Sequence, residues 1–196
     1  MTGKIILLNG ASSAGKSTLA SALQQQLPLP FWHYSIDHLA FAGVLPQVRI
    51  DSGEFPWPGQ RQQFFEGFHR SIHAFAAAGN NLIVEHIIET GSWLRRLVLL
   101  LESQDVFFVG LHCPLEELER RARLRGARKV DEARADFRVT HTLGAYDFEC
   151  NSMDGASEVA SKVIEAWSVR GSPSAFATMR SRLSEPRGSF TPLADP

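Results

Sequence analysis

Lys4-Ile5-Ile6-Leu7-Leu8-Asn9-Gly10-Ala11-Ser12-Ser13-Ala14-Gly15-Lys16-Ser17 is the stretch on which the fold of this chain turns. Its first half is an apolar run without alternation, the pattern of a parallel strand covered on both faces. Its second half satisfies G-x-x-x-x-G-K-[ST] at every fixed position from Gly10 to Ser17. Glycines allow a turn tight enough for successive N–H groups to converge on an anion. A helix starting near Gly15 adds its positive end to the same point. In such a loop the lysine, here Lys16, reaches the β- and γ-phosphates of a nucleoside triphosphate, and the hydroxyl of Ser17 serves Mg²⁺. A strand before the motif and a helix after it set it apart from an ordinary Gly/Ser turn. The predicted nucleotide site is Gly10, Ala11, Ser12, Ser13, Ala14, Gly15, Lys16, Ser17 and Thr18, with ATP and Mg²⁺ as cofactors.

Outward from this loop, apolar strands alternate with helical patterns. A helix is expected over residues 15–27, stopped by Pro28 and Pro30, and a second strand over 31–36 that ends at Asp37. Phe64, Phe65, Phe68, Ile72 and Phe75 recur at helical spacing within 61–78, where the Phe64, Phe68 and Phe75 stripe reads as core. Further strands are expected at 81–85, 106–112 and, more weakly, 146–150, with helices at 93–101, 114–125, 131–143 and 156–167. This alternation predicts right-handed βαβ units and a mostly parallel sheet with helices on both faces, a three-layer α/β sandwich. Residues 1–170 form the expected P-loop domain. Residues 171–196, rich in Ser, Pro, Arg and Gly, are expected to be a poorly ordered tail with one helical turn near 175–183.

The bulk properties restrict the function. The 196 residues are 44% hydrophobic and 21% charged, enough apolar material for one core without staples. A net charge of −1 argues against a polynucleotide partner, and no apolar run is long enough for a membrane span. Cys113 and Cys150 lack metal-ligand spacing. These features predict a cytoplasmic protein with reduced thiols, a small-molecule partner, no nucleic acid and no membrane; they leave the oligomeric state open.

The acceptor side is read from strand ends, where ligands of α/β sheets sit. Asp37 either orients and deprotonates an attacking hydroxyl or caps the next turn. Glu85 either holds Mg²⁺ through a water or is a solvated strand-end acid. His86 and His112 read as hydrogen-bonded structural histidines. The basic segment 119–129 includes Arg121, Arg125 and Arg128. It reads as a lid, about 119–130, whose arginines follow migrating phosphate charge; the competing reading is a helix face paired to Glu116, Glu117 and Glu119. Arg121 joins the candidate nucleotide-binding residues. Residues 41–65 read as an irregular loop whose aromatics either line an apolar pocket or pack locally.

The stretches 5–17, 35–39, 82–86, 113–116 and 121–128, with His141 and Tyr146-Asp147, resemble the chloramphenicol phosphotransferase-like proteins. The resemblance implies ATP-dependent phosphorylation of an alcohol, with Asp37 in the position of the proposed base and Arg125 and Arg128 in a lid over the phosphates. It implies a five-stranded sheet in the order 2-3-1-4-5, as in nucleoside monophosphate kinases. The chain departs from the family at Ala127, where the lid often has an acid, and at Glu85-His86, where an Asp-Asp pair can stand. On these terms Lys16, Asp37, Arg125 and Arg128 are the candidate catalytic residues, and Ser17 and Glu85 the candidate metal residues. The alternatives are a P-loop kinase for a sugar, sugar acid or nucleotide acceptor, or a nucleotide-binding regulatory ATPase without acceptor chemistry.

Overall fold

The computed structural model describes residues 2–125 and 130–184. At its centre lies β1 (Lys4–Asn9), every residue of which after Lys4 is buried. Such a strand cannot sit at an edge, and it is paired on both sides: with β3 (Leu82–His86) and with β4 (Asp105–His112), both parallel. β2 (Trp32–Ser35) extends the β3 edge and β5 (Phe148–Asn151) the β4 edge, giving the order β2-β3-β1-β4-β5. The sheet is parallel throughout and has the predicted order.

Alternate residues of β1 feed the two faces. Ile6 and Leu8 pack with α1 (Lys16–Gln26), α6 (Leu115–Arg125) and α8 (Ala156–Ser168) through Leu19, Leu23, Leu118, Val159 and Val163. Ile5 and Leu7 pack on the other side with α4 (Trp57–Ala77) and α5 (Gly91–Leu100) through Phe68, Ile72, Leu94 and Leu97. This is the three-layer sandwich anticipated from the alternating pattern. Of the phenylalanine stripe on α4, Phe68 is core but Phe75 is 46% exposed.

Three segments differ from expectation. Residues 41–65 are not an irregular loop: they include the end of α2 (Ile36–Phe41), α3 (Gln47–Asp51) and the first turns of α4, which starts with Pro58 in its first turn. Leu45, Pro46, Ile50, Phe55, Trp57 and Phe64 line a cleft between these helices. α7 (Val130–Val139) ends four residues before the expected 143. The start of the presumed tail forms α9 (Ala175–Ser184), whose Phe176 is 5% exposed and meets Phe108 edge-on at 5.3 Å. Phe176, with Ala175, Met179 and Leu183 packed against the same core, holds this helix to the domain although its sequence has weak periodicity. Among the described residues no helix is long and apolar enough to cross a membrane.

Candidate active site

The loop between β1 and α1 is built as its sequence requires. Gly15 takes φ 103° at the start of α1, a left-handed conformation that glycine adopts without strain. Ser13 is also left-handed at φ 66°, and alternation of this kind turns successive amides into one concavity. The Ser13 hydroxyl is buried and has no hydrogen-bond partner among the described residues. An orphaned buried hydroxyl beside converging N–H groups suits an anion-binding loop. Lys16 is 8% exposed, and its Nζ donates to the carbonyls of Gly10 at 2.7 Å and Ala11 at 2.9 Å. The ammonium is thus held over the loop.

One cleft brings the distant candidates together: Ser12, Ser13, Gly15, Lys16, Ser17, Ser35, Ile36, Asp37, Glu85, His86 and Ile87 line it. Parallel pairing of β1 with β3 sets Leu8 beside Glu85, so the acid emerges next to the loop. The Ser17 hydroxyl donates to Glu85 Oε2 at 3.1 Å, and the other carboxylate oxygen takes the ring Nε2–H of His33. Burial pushes the Glu85 carboxyl up, but the His33 hydrogen bond, the Lys16 charge and the Ser17 hydroxyl outweigh it and hold the group below its ordinary value. A charged carboxylate and a hydroxyl in contact are the hard oxygen donors that Mg²⁺ prefers, so the residues present fit that ion.

Asp37 does not end β2 as expected. The strand stops at Ser35, whose hydroxyl accepts the Asp37 N–H at 3.2 Å and caps α2. Asp37 lies in the first turn of that helix, where the positive end favours a carboxylate, and Ser35 rather than Asp37 is the cap. Its side chain still lines the cleft.

The basic segment divides in two. Glu117 pairs with Arg120 and Arg121, which bring its carboxyl down to about 2, and Glu119 pairs with Arg123 and with Arg134 of α7. Local pairing therefore describes Arg120 and Arg123. Arg121 also donates to the Ala14 carbonyl at 3.0 Å and the Ser152 hydroxyl at 3.2 Å, which places it against the phosphate loop. Gly15, Thr18, Leu19, Arg121 and Ser152 border a second cleft behind the loop. The side chain of Arg125, together with Arg128, lies outside the described residues.

Several neighbours were not found from the sequence. Asp136 of α7 accepts the Ser12 N–H at 3.0 Å. Asn9 ties the end of β1 to Ile88, Thr140 and Tyr146. His86, expected to be structural, is fully buried, with its Nε2 2.8 Å from that of His69. Burial first, then His69, brings His86 to about 3; burial brings His69 to about 4. His112 pairs with Glu149 at 2.6 Å and stacks on His141 at 3.9 Å, consistent with a structural role. These contacts link residues from separate elements and connecting segments, where spacing along the chain carries no signal.

Known proteins share both sequence and fold with this chain. The profile of the chloramphenicol phosphotransferase-like family matches residues 3–168. Two curated Mycobacterium tuberculosis proteins, from strains CDC 1551 and H37Rv, carry the provisional name O-phosphotransferase. Each is 32% identical to this chain over 92% of its length and 89% of theirs. Among solved structures, the Mycobacterium tuberculosis APS kinase CysC superposes with a TM-score of 0.63 at 20% identity, covering 85% of this chain and 98% of that one. Shikimate kinase from Aquifex aeolicus gives a TM-score of 0.59 at 18% identity, covering 84% and 96%. At such identities the two structures speak for the fold alone, while the profile and the mycobacterial relatives speak for the chemistry and do not favour a regulatory ATPase. The chain belongs to the chloramphenicol phosphotransferase-like proteins and is a small-molecule kinase of the P-loop class.

Proposed function

We propose that this kinase transfers the γ-phosphoryl group of ATP, bound with Mg²⁺, to a hydroxyl of a small molecule in the cleft between the phosphate loop, Asp37 and Glu85. The observation that carries the reading is the convergence of all three on one cleft, although 20 to 70 residues separate them in sequence. Lys16 and the amides of the loop hold the phosphates, and Arg121 reaches the loop from α6. Ser17 and Glu85 would hold the metal, Glu85 through a water. The ion, when bound, neutralises charge on the phosphate oxygens.

Asp37 orients the acceptor and takes its proton as the oxygen–phosphorus bond forms and the bond to the ADP oxygen breaks. Phosphoryl transfer passes through a loose transition state, so most of the catalysis is positioning and electrostatics rather than proton transfer. Arg125 and Arg128 are proposed to complete the cationic surround from the lid segment.

The test is ATP consumption with Mg²⁺ across a panel of alcohols, sugars, sugar acids and nucleosides, followed by detection of a product carrying one added phosphate. With the acceptor in hand, Asp37→Asn should lower transfer by about 10² or more while ATP affinity survives. Full transfer activity in that variant would remove Asp37 from the role of base.

A further inference from the structure

The geometry points to His33 as a positioning residue: its ring N–H fixes the Glu85 carboxylate so that the other oxygen faces Ser17 and the metal position. This deepens the reading given above and rests on Glu85 serving the metal there. The argument begins with register. β2 and β3 run parallel with Ser35 beside Glu85, so His33, two residues back along β2, lies on the same face of the sheet as Glu85. From that place its Nε2 meets Glu85 Oε1, while Oε2 accepts from the Ser17 hydroxyl. The two oxygens are thereby assigned different tasks.

The assignment matters because of how a carboxylate is built. An ionised carboxylate offers about four lone-pair directions on two equivalent oxygens and turns freely about its last bond. Near a loop full of donors, nothing intrinsic to Glu85 decides which oxygen faces the metal. One N–H donor anchored on a strand removes that freedom. His33 is itself constrained: its side chain is 16% exposed, and the His38 ring meets it edge-on at 4.6 Å. A ligand-side carboxylate supported by an anchored outer partner typically loses about 10- to 100-fold in metal affinity or activity when that partner is removed.

The experiment measures the Mg²⁺ midpoint for binding of a fluorescent non-hydrolysable ATP analogue to the full chain, alongside the thermal midpoint of the free protein. His33→Phe and His33→Ala both remove the N–H; the first keeps a ring against His38, and together they provide a folded variant. His33→Gln retains an amide N–H donor, and Glu85→Gln reports on the carboxylate itself. The expected result is a midpoint raised about 10- to 100-fold in His33→Phe or His33→Ala, nucleotide affinity without metal unchanged, and recovery to within about threefold in His33→Gln. If a folded variant lacking the N–H keeps the wild-type midpoint while Glu85→Gln raises it, the role of His33 is overturned and that of Glu85 stands. If Glu85→Gln leaves the midpoint where it was, the metal role of Glu85 fails and the inference fails with it. A shift in His33→Gln equal to that in His33→Phe would also overturn the proposal, since restoring an N–H donor would then recover nothing.

Discussion

Replacing Asn9 with leucine tests the joint that holds the phosphate loop to the rest of the cleft. Asn9 is 2% exposed at the end of β1, and its amide is fully used. Oδ1 accepts the Ile88 N–H at 2.9 Å; Nδ2 donates to the Thr140 carbonyl and to the Tyr146 hydroxyl, each at 2.8 Å. One side chain thus joins the first strand to the segment after β3 and to the segment before β5. Leucine has similar volume but no polar atoms, so the loss is of hydrogen bonds rather than of packing. The Thr140 carbonyl keeps the Tyr146 hydroxyl at 3.2 Å, and that hydroxyl also meets His141 Nδ1 at 2.8 Å. The Ile88 amide is left without the oxygen that accepted it. An orphaned buried donor costs about 1–3 kcal/mol and each other lost bond about 1 kcal/mol, offset by about 1 kcal/mol of added apolar burial. The expected destabilisation is about 2–4 kcal/mol, a large share of the 5–15 kcal/mol typical of a domain. Equilibrium urea unfolding reads this as a lower midpoint at an unchanged slope, and hydrogen exchange should show the Ile88 amide losing protection. A variant within about 0.5 kcal/mol of the parent, with Ile88 still protected, would refute the reasoning.

Two other outcomes follow from buried groups. His69 and His86 are neutral in the fold, at about 4 and about 3, against an ordinary 6.5. The unfolded chain therefore binds protons first: stability is full above about pH 6.5 and falls as pH drops toward 4, by about 3 kcal/mol for His69 alone. Urea midpoints between pH 7 and 4 should show this, with a shallower slope in His69→Gln; a flat profile would contradict the neutral pair. Gly110→Ala should cost about 1–3 kcal/mol by thermal or urea unfolding, because a Cβ there would lie 2.7 Å from the Tyr146 ring; an unchanged midpoint would show that the ring moves aside freely.

Local patterns determined much of this protein from the sequence alone. The phosphate loop was legible because strand, turn and helix are contiguous and each residue type answers a backbone demand made within a few positions: φ at Gly15, an N–H nest, an ammonium at Lys16. Resemblance supplied the strand order, which no periodicity encodes. The tertiary structure decided what depended on register between strands. Pairing of β3 with β1 brought Glu85 to Ser17, and pairing of β2 with β3 brought His33 to Glu85. Asp136 reached Ser12 across 124 residues, and His69 met His86 only where α4 crosses the sheet. A carboxylate or imidazole takes its role from the groups within about 4 Å of it, and those neighbours are chosen by how the layers stack, not by spacing along the chain.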